Sequence, residues 1–327
     1  MTSVALIEAA AGRLAGQARV TPLLNAPLLD RLAGRRIFVK AECLQWTGSF
    51  KFRGGWAALT ALPAEARAKG VLAYSSGNHA QGVAYAASRL GAPCVIVMPS
   101  DAPAVKIANT RAYGAEVVLY DRAYEDRDAI GAELAAKRSL SLVRPFDDAQ
   151  VIAGQGTVGL EIAAQAAEAG IATADVITCC GGGGLTAGVA LALEARAPGL
   201  RVRPAEPAGF DDTARSLASG QRERNAAATG SICDAIVTPS PGEITFPILQ
   251  RLCGPGLVVT DDEALRAMVL AFQHLRIVVE PGGAVALAAA LFRQDLPETV
   301  ICTASGGNVD AGLFRETLYR FGDTPWP

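Results

Sequence analysis

The chain has 327 residues, which is long for one domain and comfortable for two. Half of the residues are hydrophobic and 19% are charged, so a large core can be buried. Acidic and basic residues are mixed along the chain and nearly balance, at a formal net charge of −2. This balance argues against a nucleic acid or an acidic membrane surface as the main partner.

The N-terminal sequence MTSVALIEAAAGRLAG has no basic lead and carries Glu8 within its apolar run, so it predicts an amphipathic first helix rather than a signal peptide. The uncharged stretch 176–193 approaches membrane-spanning length, but its four glycines favour a buried strand, loop and helix. Seven scattered cysteines without a C-x-x-C motif indicate reduced thiols. We therefore expect a soluble cytoplasmic protein.

Short β-rich apolar runs alternate with alanine-rich helical patterns through most of the chain. This alternation predicts an α/β protein with mainly parallel sheets. In such folds ligands bind beyond the carboxyl ends of the strands, so chemistry is expected in the strand-to-helix loops. The predicted strands are residues 36–40, 71–75, 94–98, 116–120, 140–143, 175–180, 200–204 and 300–304.

The first unusual feature in chain order is QWTGSFKFRGG, in which Lys51 stands between Phe50 and Phe52. A lysine against aromatic surface loses hydration, which lowers its pKa and makes the amine nucleophilic. Lys51 is therefore a candidate for forming a covalent bond with a carbonyl group.

The next feature, YSSGNHAQG, follows a predicted strand and precedes a predicted helix. Ser75 and Ser76 can cap that helix, whose first N–H groups would face a docked anion. An ordinary strand-to-helix turn is the alternative. The only two histidines, His79 and His274, are far apart, which argues against a histidine-based triad or a histidine-rich metal site.

The segment CCGGGGLTAG lets the backbone approach a phosphate closely at a helix N-terminus. It also fits a dinucleotide fingerprint, because Gly182, Gly184 and Ala187 match G-x-G-x-x-A and Glu206 follows the next strand. A reactive lysine with a phosphate loop suits pyridoxal phosphate equally well. The residues alone leave open a nicotinamide-dependent dehydrogenase and a pyridoxal phosphate enzyme.

Together these motifs resemble the fold-type II pyridoxal phosphate enzymes, specifically the serine/threonine dehydratase, serine racemase and hydroxyaspartate dehydratase family. The similarity includes GSFKFRG, SSGNHAQG, VIAGQGT (151–157) and GGGGL, and it covers residues 21–308. It implies two doubly wound, parallel-sheet domains of the tryptophan synthase β-like architecture. The large pyridoxal phosphate domain would comprise residues 1–69 and 148–327, and the small domain, 70–147, would close over the substrate. The resemblance also implies a homodimer.

Carried over by this resemblance, Lys51 would form a Schiff base with pyridoxal phosphate and remove the substrate α-proton. The substrate carboxylate would be received by Ser75, Asn78 and His79. Ser305, a neutral hydroxyl, would face the pyridine nitrogen, leave the ring a weaker electron sink and favour β-elimination to a keto acid and ammonia. The cofactor-binding residues would be Phe50, Lys51, Asn78, Gly181, Gly182, Gly183, Gly184, Leu185 and Ser305.

An amino-acid racemase is the nearest alternative within the family. Racemisation needs a second acid/base group on the face of the substrate opposite Lys51. By this resemblance Ser76 would fill that position. Ser76 can equally serve as a helix cap. A non-catalytic amino-acid sensor would be expected to have lost Lys51 or Ser305, and both are present.

Two further hypotheses follow from the resemblance. Glu206, the Phe210 carbonyl and Asp212 would bind Mg²⁺, or else Mn²⁺ or Ca²⁺, because hard cations prefer oxygen ligands; a solvated acidic loop is the alternative. Arg127 would bind a second substrate carboxylate, which favours 3-hydroxyaspartate over serine or threonine. The alternative for Arg127 is a surface salt bridge with the acids at 125, 126 and 128.

Overall fold

The computed structural model describes residues 2–75 and 77–323, and within them helices and strands alternate as predicted. All eight predicted strands are present, with ends shifted by three residues at most. Two further three-residue strands, β1 and β9, were not predicted. The elements are α1 (Val4–Leu14), β1 (Leu23–Asn25), α2 (Pro27–Ala33), β2 (Arg36–Lys40), α3 (Lys51–Ala61), α4 (Ala64–Lys69), β3 (Val71–Tyr74), α5 (Asn78–Arg89), β4 (Cys94–Pro99), α6 (Ala104–Ala112), β5 (Glu116–Tyr120), α7 (Arg127–Arg138), β6 (Ser141–Leu142), α8 (Ala149–Glu168), β7 (Ala174–Cys179), α9 (Gly184–Arg196), β8 (Leu200–Pro207), α10 (Asp212–Ser219), α11 (Thr245–Leu252), β9 (Leu257–Val259), α12 (Asp261–Leu270), α13 (Pro281–Phe292), β10 (Thr299–Thr303) and α14 (Ala311–Phe321).

The larger sheet has six strands in the order β1-β2-β10-β7-β8-β9. All of its pairings are parallel except β1 with β2. Cys302 of β10 pairs with Val39 of β2 on one side and with Ile177 of β7 on the other. Because these strands run in the same direction, the loops that follow them begin at one edge of the sheet.

The smaller sheet has four parallel strands in the order β5-β4-β3-β6. All four fall between Val71 and Leu142, inside the range predicted for the small domain. The fold class predicted from the sequence, α/β with parallel sheets, is confirmed. The exact domain boundaries remain a prediction.

The structure also tests what the sequence predicted for the N-terminal segment and for the uncharged stretch. The first helix, α1, forms where its amphipathic pattern predicts it. The uncharged stretch 176–193 forms most of β7, the glycine loop and most of α9, all buried apart from a partly exposed Gly181. Within the described residues, no helix has the length and apolarity needed to cross a bilayer.

The start of α5 differs from the expectation. The helix begins at Asn78 with Gly77 at its N-cap, and none of the described side chains caps it. The Ser75 hydroxyl instead accepts a hydrogen bond from the Gly77 N–H at 3.1 Å, so the prediction that Ser75 caps the helix is wrong. Ser76 lies outside the described residues.

Candidate active site

Lys51 is the first residue of α3, where the chain leaves an irregular turn held against the end of β10. The Phe50 N–H donates to the Ser305 carbonyl at 3.2 Å, and Ser49 forms an isolated β-bridge with Gly306. These contacts fix the turn that carries Lys51 beside the loop TASGGN, residues 303–308. Ser305 itself is buried, and its N–H donates to the Gly283 carbonyl at 3.2 Å.

The Lys51 amine is placed as a reactive group rather than as a surface charge. Its Nζ donates to the Pro145 carbonyl at 3.0 Å and lies 4.9 Å from the centre of the Phe50 ring. Burial lowers the pKa of Lys51 to about 8, because the charged ammonium loses its hydration. Near neutral pH an appreciable fraction of the amine is therefore unprotonated and nucleophilic.

The glycine loop between β7 and α9 presents backbone N–H groups to a cleft that Lys51 also lines. The first helical bond of α9 runs from the Ala187 N–H to the Gly183 carbonyl at 2.8 Å, so the N–H groups of Gly184, Leu185 and Thr186 have no intrahelical acceptor. A Cβ atom on Gly182 would lie 2.3 Å from the Phe146 ring. The loop therefore needs glycine for close packing and leaves an anion-binding helix N-terminus.

Asn78 is held by two polar neighbours that fix the orientation of its amide. Its Nδ2 donates to Glu280 Oε1 at 2.5 Å, and its Oδ1 accepts from Asn308 at 2.8 Å. One N–H of the amide is left for a ligand. Burial raises the pKa of Glu280, and the Lys106 ammonium, 3.6 Å from Glu280 Oε2, opposes that shift.

His79 is neutral in this environment. Its Nε2 lies 3.0 Å from the Val143 carbonyl, and the buried Nδ1 has no hydrogen-bond partner among the described residues. Burial, with the nearby Lys51, lowers the pKa of His79 to about 3. The side chain therefore cannot supply a proton at neutral pH, which leaves its backbone N–H as the group available to an anion.

Arg127, the first residue of α7, reaches the rim of the cleft beside Ser75. Its guanidinium lies 5.2 Å from the centre of the Tyr74 ring, a cation–π distance. Its nearest ion pair, with Asp128, is loose at 3.7 Å, and both side chains are about half exposed. Such a pair contributes little stability, so the guanidinium is available to a ligand.

The cleft brings together every described residue that the resemblance assigned to cofactor or substrate. Lys106 and the Pro145 carbonyl also line it and were not predicted. A backbone carbonyl leaves no mark on a sequence, and Lys106 reads as an ordinary helical lysine. The predicted residues that line the cleft are Phe50, Lys51, Ser75, Asn78, His79, Arg127, Gly181, Gly182, Gly183, Gly184, Leu185 and Ser305.

Glu206, Phe210 and Asp212 form a separate site, and all three are buried, so the alternative of a solvated acidic loop is wrong. The Glu206 carboxylate accepts hydrogen bonds from the N–H groups of Thr213 and Ala214 at 3.0 and 2.7 Å. Asp212 Oδ1 accepts from Asn225, while Oδ2 has no partner. In the described part of the chain, no group of three or more His, Cys, Asp or Glu side chains could hold a metal.

Burial makes the ionised form of both acids less favourable. Burial, followed by the charge of Asp212, raises the pKa of Glu206 well above its usual value. Burial likewise raises the pKa of Asp212 to about 7. Asp212 Oδ2 has no partner among the described residues, and two buried carboxylates are the kind of ligand that a divalent cation prefers.

Comparison with known proteins places the chain in a family. The family model described as pyridoxal-phosphate dependent enzyme matches residues 14–307. An L-threo-3-hydroxyaspartate ammonia-lyase from a Pseudomonas species is 41% identical over 311 residues, covering 94% of this chain and 96% of that protein. The chain therefore belongs to the pyridoxal-phosphate dependent enzymes. Of the two alternatives that the glycine loop left open, the pyridoxal phosphate enzyme is the one supported, and the nicotinamide-dependent dehydrogenase is not.

Solved structures support the same assignment. The crystal structure of a T.th. threonine deaminase is 46% identical with a TM-score of 0.89, covering 94% of this chain and 99% of that one. Maize serine racemase is 36% identical with a TM-score of 0.90, covering 98% and 97%. These similarities confirm the predicted fold-type II architecture and the pyridoxal phosphate cofactor.

The cleft fits that cofactor by its chemistry. The amine of Lys51 suits an aldehyde, and the free N–H groups at the start of α9 suit a phosphate. The Ser305 side chain is neutral, so it suits a ring nitrogen that carries no proton.

Proposed function

We propose that this enzyme is an ammonia-lyase that eliminates water from a β-hydroxy amino acid to give a keto acid and ammonia. The observation that carries the proposal is the Lys51 amine, with its lowered pKa, in one cleft with the free N–H groups of the glycine loop. The relatives named hydroxyaspartate ammonia-lyase and threonine ammonia-lyase support elimination.

Bound pyridoxal phosphate supplies an aldehyde for amines and an aromatic ring that withdraws electrons from the substrate α-carbon. The N–H groups of Gly184 and Leu185 would hold the phosphate, and the free N–H of the Asn78 amide would bind the phenolic oxygen. Phe50 would lie against the ring. The Ser75 N–H donates to the Val97 carbonyl at 3.1 Å, so Ser75 would bind the substrate carboxylate through its hydroxyl, together with the backbone N–H groups of Asn78 and His79.

Lys51 would act as the base. Its amine takes the α-proton, and the resulting ammonium donates to the Pro145 carbonyl that already accepts from Nζ. The β-hydroxyl then leaves with the proton that Lys51 has taken, which produces water and leaves an enamine. Hydrolysis of the tautomeric imine then gives the keto acid and ammonia.

The role of Lys51 is tested by Lys51→Ala with the exposed Lys69→Ala as the matched control. We expect Lys51→Ala to lose the visible absorbance of the bound cofactor and to lower kcat by at least about 10³-fold, since covalent attachment and the base are removed together. Borohydride reduction followed by peptide mapping should place the adduct on Lys51. An adduct on another lysine, or full activity in Lys51→Ala, would contradict the proposal.

We propose 3-hydroxyaspartate as the best substrate. Arg127 supports this choice, because its guanidinium lies at the cleft rim and its ion pair with Asp128 is exposed and long at 3.7 Å, so a ligand carboxylate can compete with it. A charge-assisted bond to a second carboxylate is worth about 1.5–3 kcal/mol, or roughly tenfold or more in selectivity. The product would be oxaloacetate.

The experiment compares kcat/KM for hydroxyaspartate isomers, serine and threonine in the native enzyme, Arg127→Ala and Arg138→Ala. Arg138 lies at the other end of α7 and pairs with Glu116 at 2.7 Å, so it controls for charge removal. Arg127→Ala should lower only the hydroxyaspartate values, by about tenfold or more. An equal loss for all substrates, or a native preference for threonine, would leave a general dehydratase. Inversion of serine without keto acid would identify the racemase alternative.

The proposal includes a divalent cation, Mg²⁺ first and Mn²⁺ or Ca²⁺ otherwise, held by Glu206, the Phe210 carbonyl and Asp212. The unpaired Asp212 Oδ2 is its structural support.

The proposal also includes a homodimer in the cytoplasm. The exposed Phe272 and Val278 offer apolar surface for a second copy, and the seven free thiols suit a reducing compartment. Light scattering of the purified protein tests the dimer.

A further inference from the structure

Gln155 is the central polar residue of the VIAGQGT stretch, to which neither the resemblance nor the proposed function gives a role. It lies in α8, and its side chain is fully buried. The glycines on either side bring α8 against two other helices. A Cβ on Gly154 would lie 2.3 Å from the Arg53 carbonyl oxygen in α3, and one on Gly156 would lie 2.9 Å from the Gly188 carbonyl oxygen in α9. The helix therefore packs closely on both elements that carry the cleft chemistry.

The amide of Gln155 lies between Pro145, which precedes α8, and the first residue of α9. Its Nε2 donates to the Pro145 carbonyl at 3.4 Å, the same oxygen that accepts from Lys51 Nζ at 3.0 Å. A carbonyl oxygen has two lone pairs, so it accepts both bonds. On the other side, a Cβ on Gly184, the first residue of α9, would lie 2.6 Å from Gln155 Oε1.

Packing alone does not explain an amide at this position. Among the described residues Gln155 Oε1 has no hydrogen-bond partner, and a buried oxygen left unpaired is unfavourable. A methionine of similar volume would fill the space and leave no polar atom unpaired. The polar side chain is explained by its place between the acceptor of the lysine and the start of the phosphate loop.

We propose that Gln155 is a positioning residue that holds the Pro145 carbonyl, and through it Lys51, in fixed register with the glycine loop. This inference rests on the proposed function, because it assumes that Lys51 and the loop bind the aldehyde and the phosphate of one cofactor. Gln155 acts from behind the cleft wall and contacts neither group itself.

The first test is Gln155→Glu, with cofactor removed and then titrated back as pyridoxal phosphate or as phosphate-free pyridoxal. A carboxylate beside Gly184 repels the phosphate, so the Kd for pyridoxal phosphate should rise about tenfold or more, while that for pyridoxal stays within about threefold. Gln165→Glu, the same change farther along α8, should leave both values within that range. Equal changes for the two ligands in Gln155→Glu would overturn the proposal.

The second test is Gln155→Met, which keeps the volume and decides the matter if Gln155→Glu does not fold. Losing the bond to Pro145 should slow the absorbance change of the covalent reaction between pyridoxal and Lys51 by about two- to tenfold. An unchanged rate would show that Gln155 only fills space. If native protein forms no adduct on Lys51, the proposed function fails; if it does and Gln155→Met matches it, only this inference fails.

Discussion

Two buried groups of charged side chains in this enzyme have opposite electrostatic character. In the first, Lys40 and Arg53 meet Glu42 and Glu161. Arg53 donates to both oxygens of Glu42 at 2.8 Å and to Glu161 at 2.7 and 3.0 Å, and Lys40 donates to Glu161 at 2.6 Å. Burial opposes the charge of Arg53, but Glu42 and Glu161 raise its pKa. Burial would also raise the pKa of Glu161, yet Arg53 and Lys40 hold it below its usual value.

The second group, Glu206 and Asp212, has no buried cation among its hydrogen-bond partners. Its partners are backbone N–H groups and the Asn225 amide, and one carboxylate oxygen has no partner. Burial raises the pKa of both acids. The comparison teaches that the balanced group neutralises its own buried charges, whereas the unbalanced group does not, and it is there that we propose the cation.

The largest effect is expected from breaking the balanced group with Arg53→Met. Glu42 is fully buried and would keep only its bond from Thr21, so the free energy of unfolding should fall by about 3–5 kcal/mol. Urea denaturation measures this change. The control, Arg138→Met, breaks an exposed pair and should cost less than about 1 kcal/mol. Similar losses in the two variants would show that the buried group is not structurally important.

A smaller effect on the free energy of unfolding is expected when a cation binds to the unbalanced group, Glu206 and Asp212. Mg²⁺ at about 100 times its Kd should stabilise the folded state by about 2.7 kcal/mol, because only the folded chain brings Glu206 and Asp212 together. Thermal melts with and without chelator measure this effect. Asp212→Asn should abolish it, while Asp262→Asn, an exposed acid, should preserve it. A native Tm indifferent to chelator and metal would remove the proposed cation.

The smallest effect is the pH dependence of that stabilisation. The pKa of Asp212 is about 7 in the folded state against 3.8 ordinarily, so the metal-free protein is stabilised below about pH 4 and loses that contribution as the pH rises to about 7. A cation keeps the carboxylates ionised and removes this loss. The stabilisation by Mg²⁺ should therefore grow from pH 5.5 to pH 8, by at most about 1.4 kcal/mol per pH unit for one proton. A shift in Tm that is equal at both pH values would contradict this explanation.

The parts of the fold that could be predicted are those with strong local patterns. Long apolar strands and alanine-rich helices were predicted because each contains several periods of its pattern. The strands β1 and β9 have three residues each and exist through pairing with β2 and β8, so no local pattern marks them. The capping of α5 by Ser75 was predicted wrongly, because the Ser75 hydroxyl accepts from the Gly77 N–H in the preceding turn instead.

Sequence by itself determined which groups are available for chemistry: a lysine between two aromatics, four consecutive glycines before a helix, and the acids Glu206 and Asp212 close together in the chain. Only the tertiary structure decided which of them meet. Lys51 and its acceptor Pro145 are 94 residues apart, and Asn78 and Glu280 are 202 apart. The physical reason is that parallel strands end at one edge of a sheet, so loops distant in the chain converge there. Burial, which sets the pKa values of Lys51 and Asp212, likewise depends on contacts that no local segment contains.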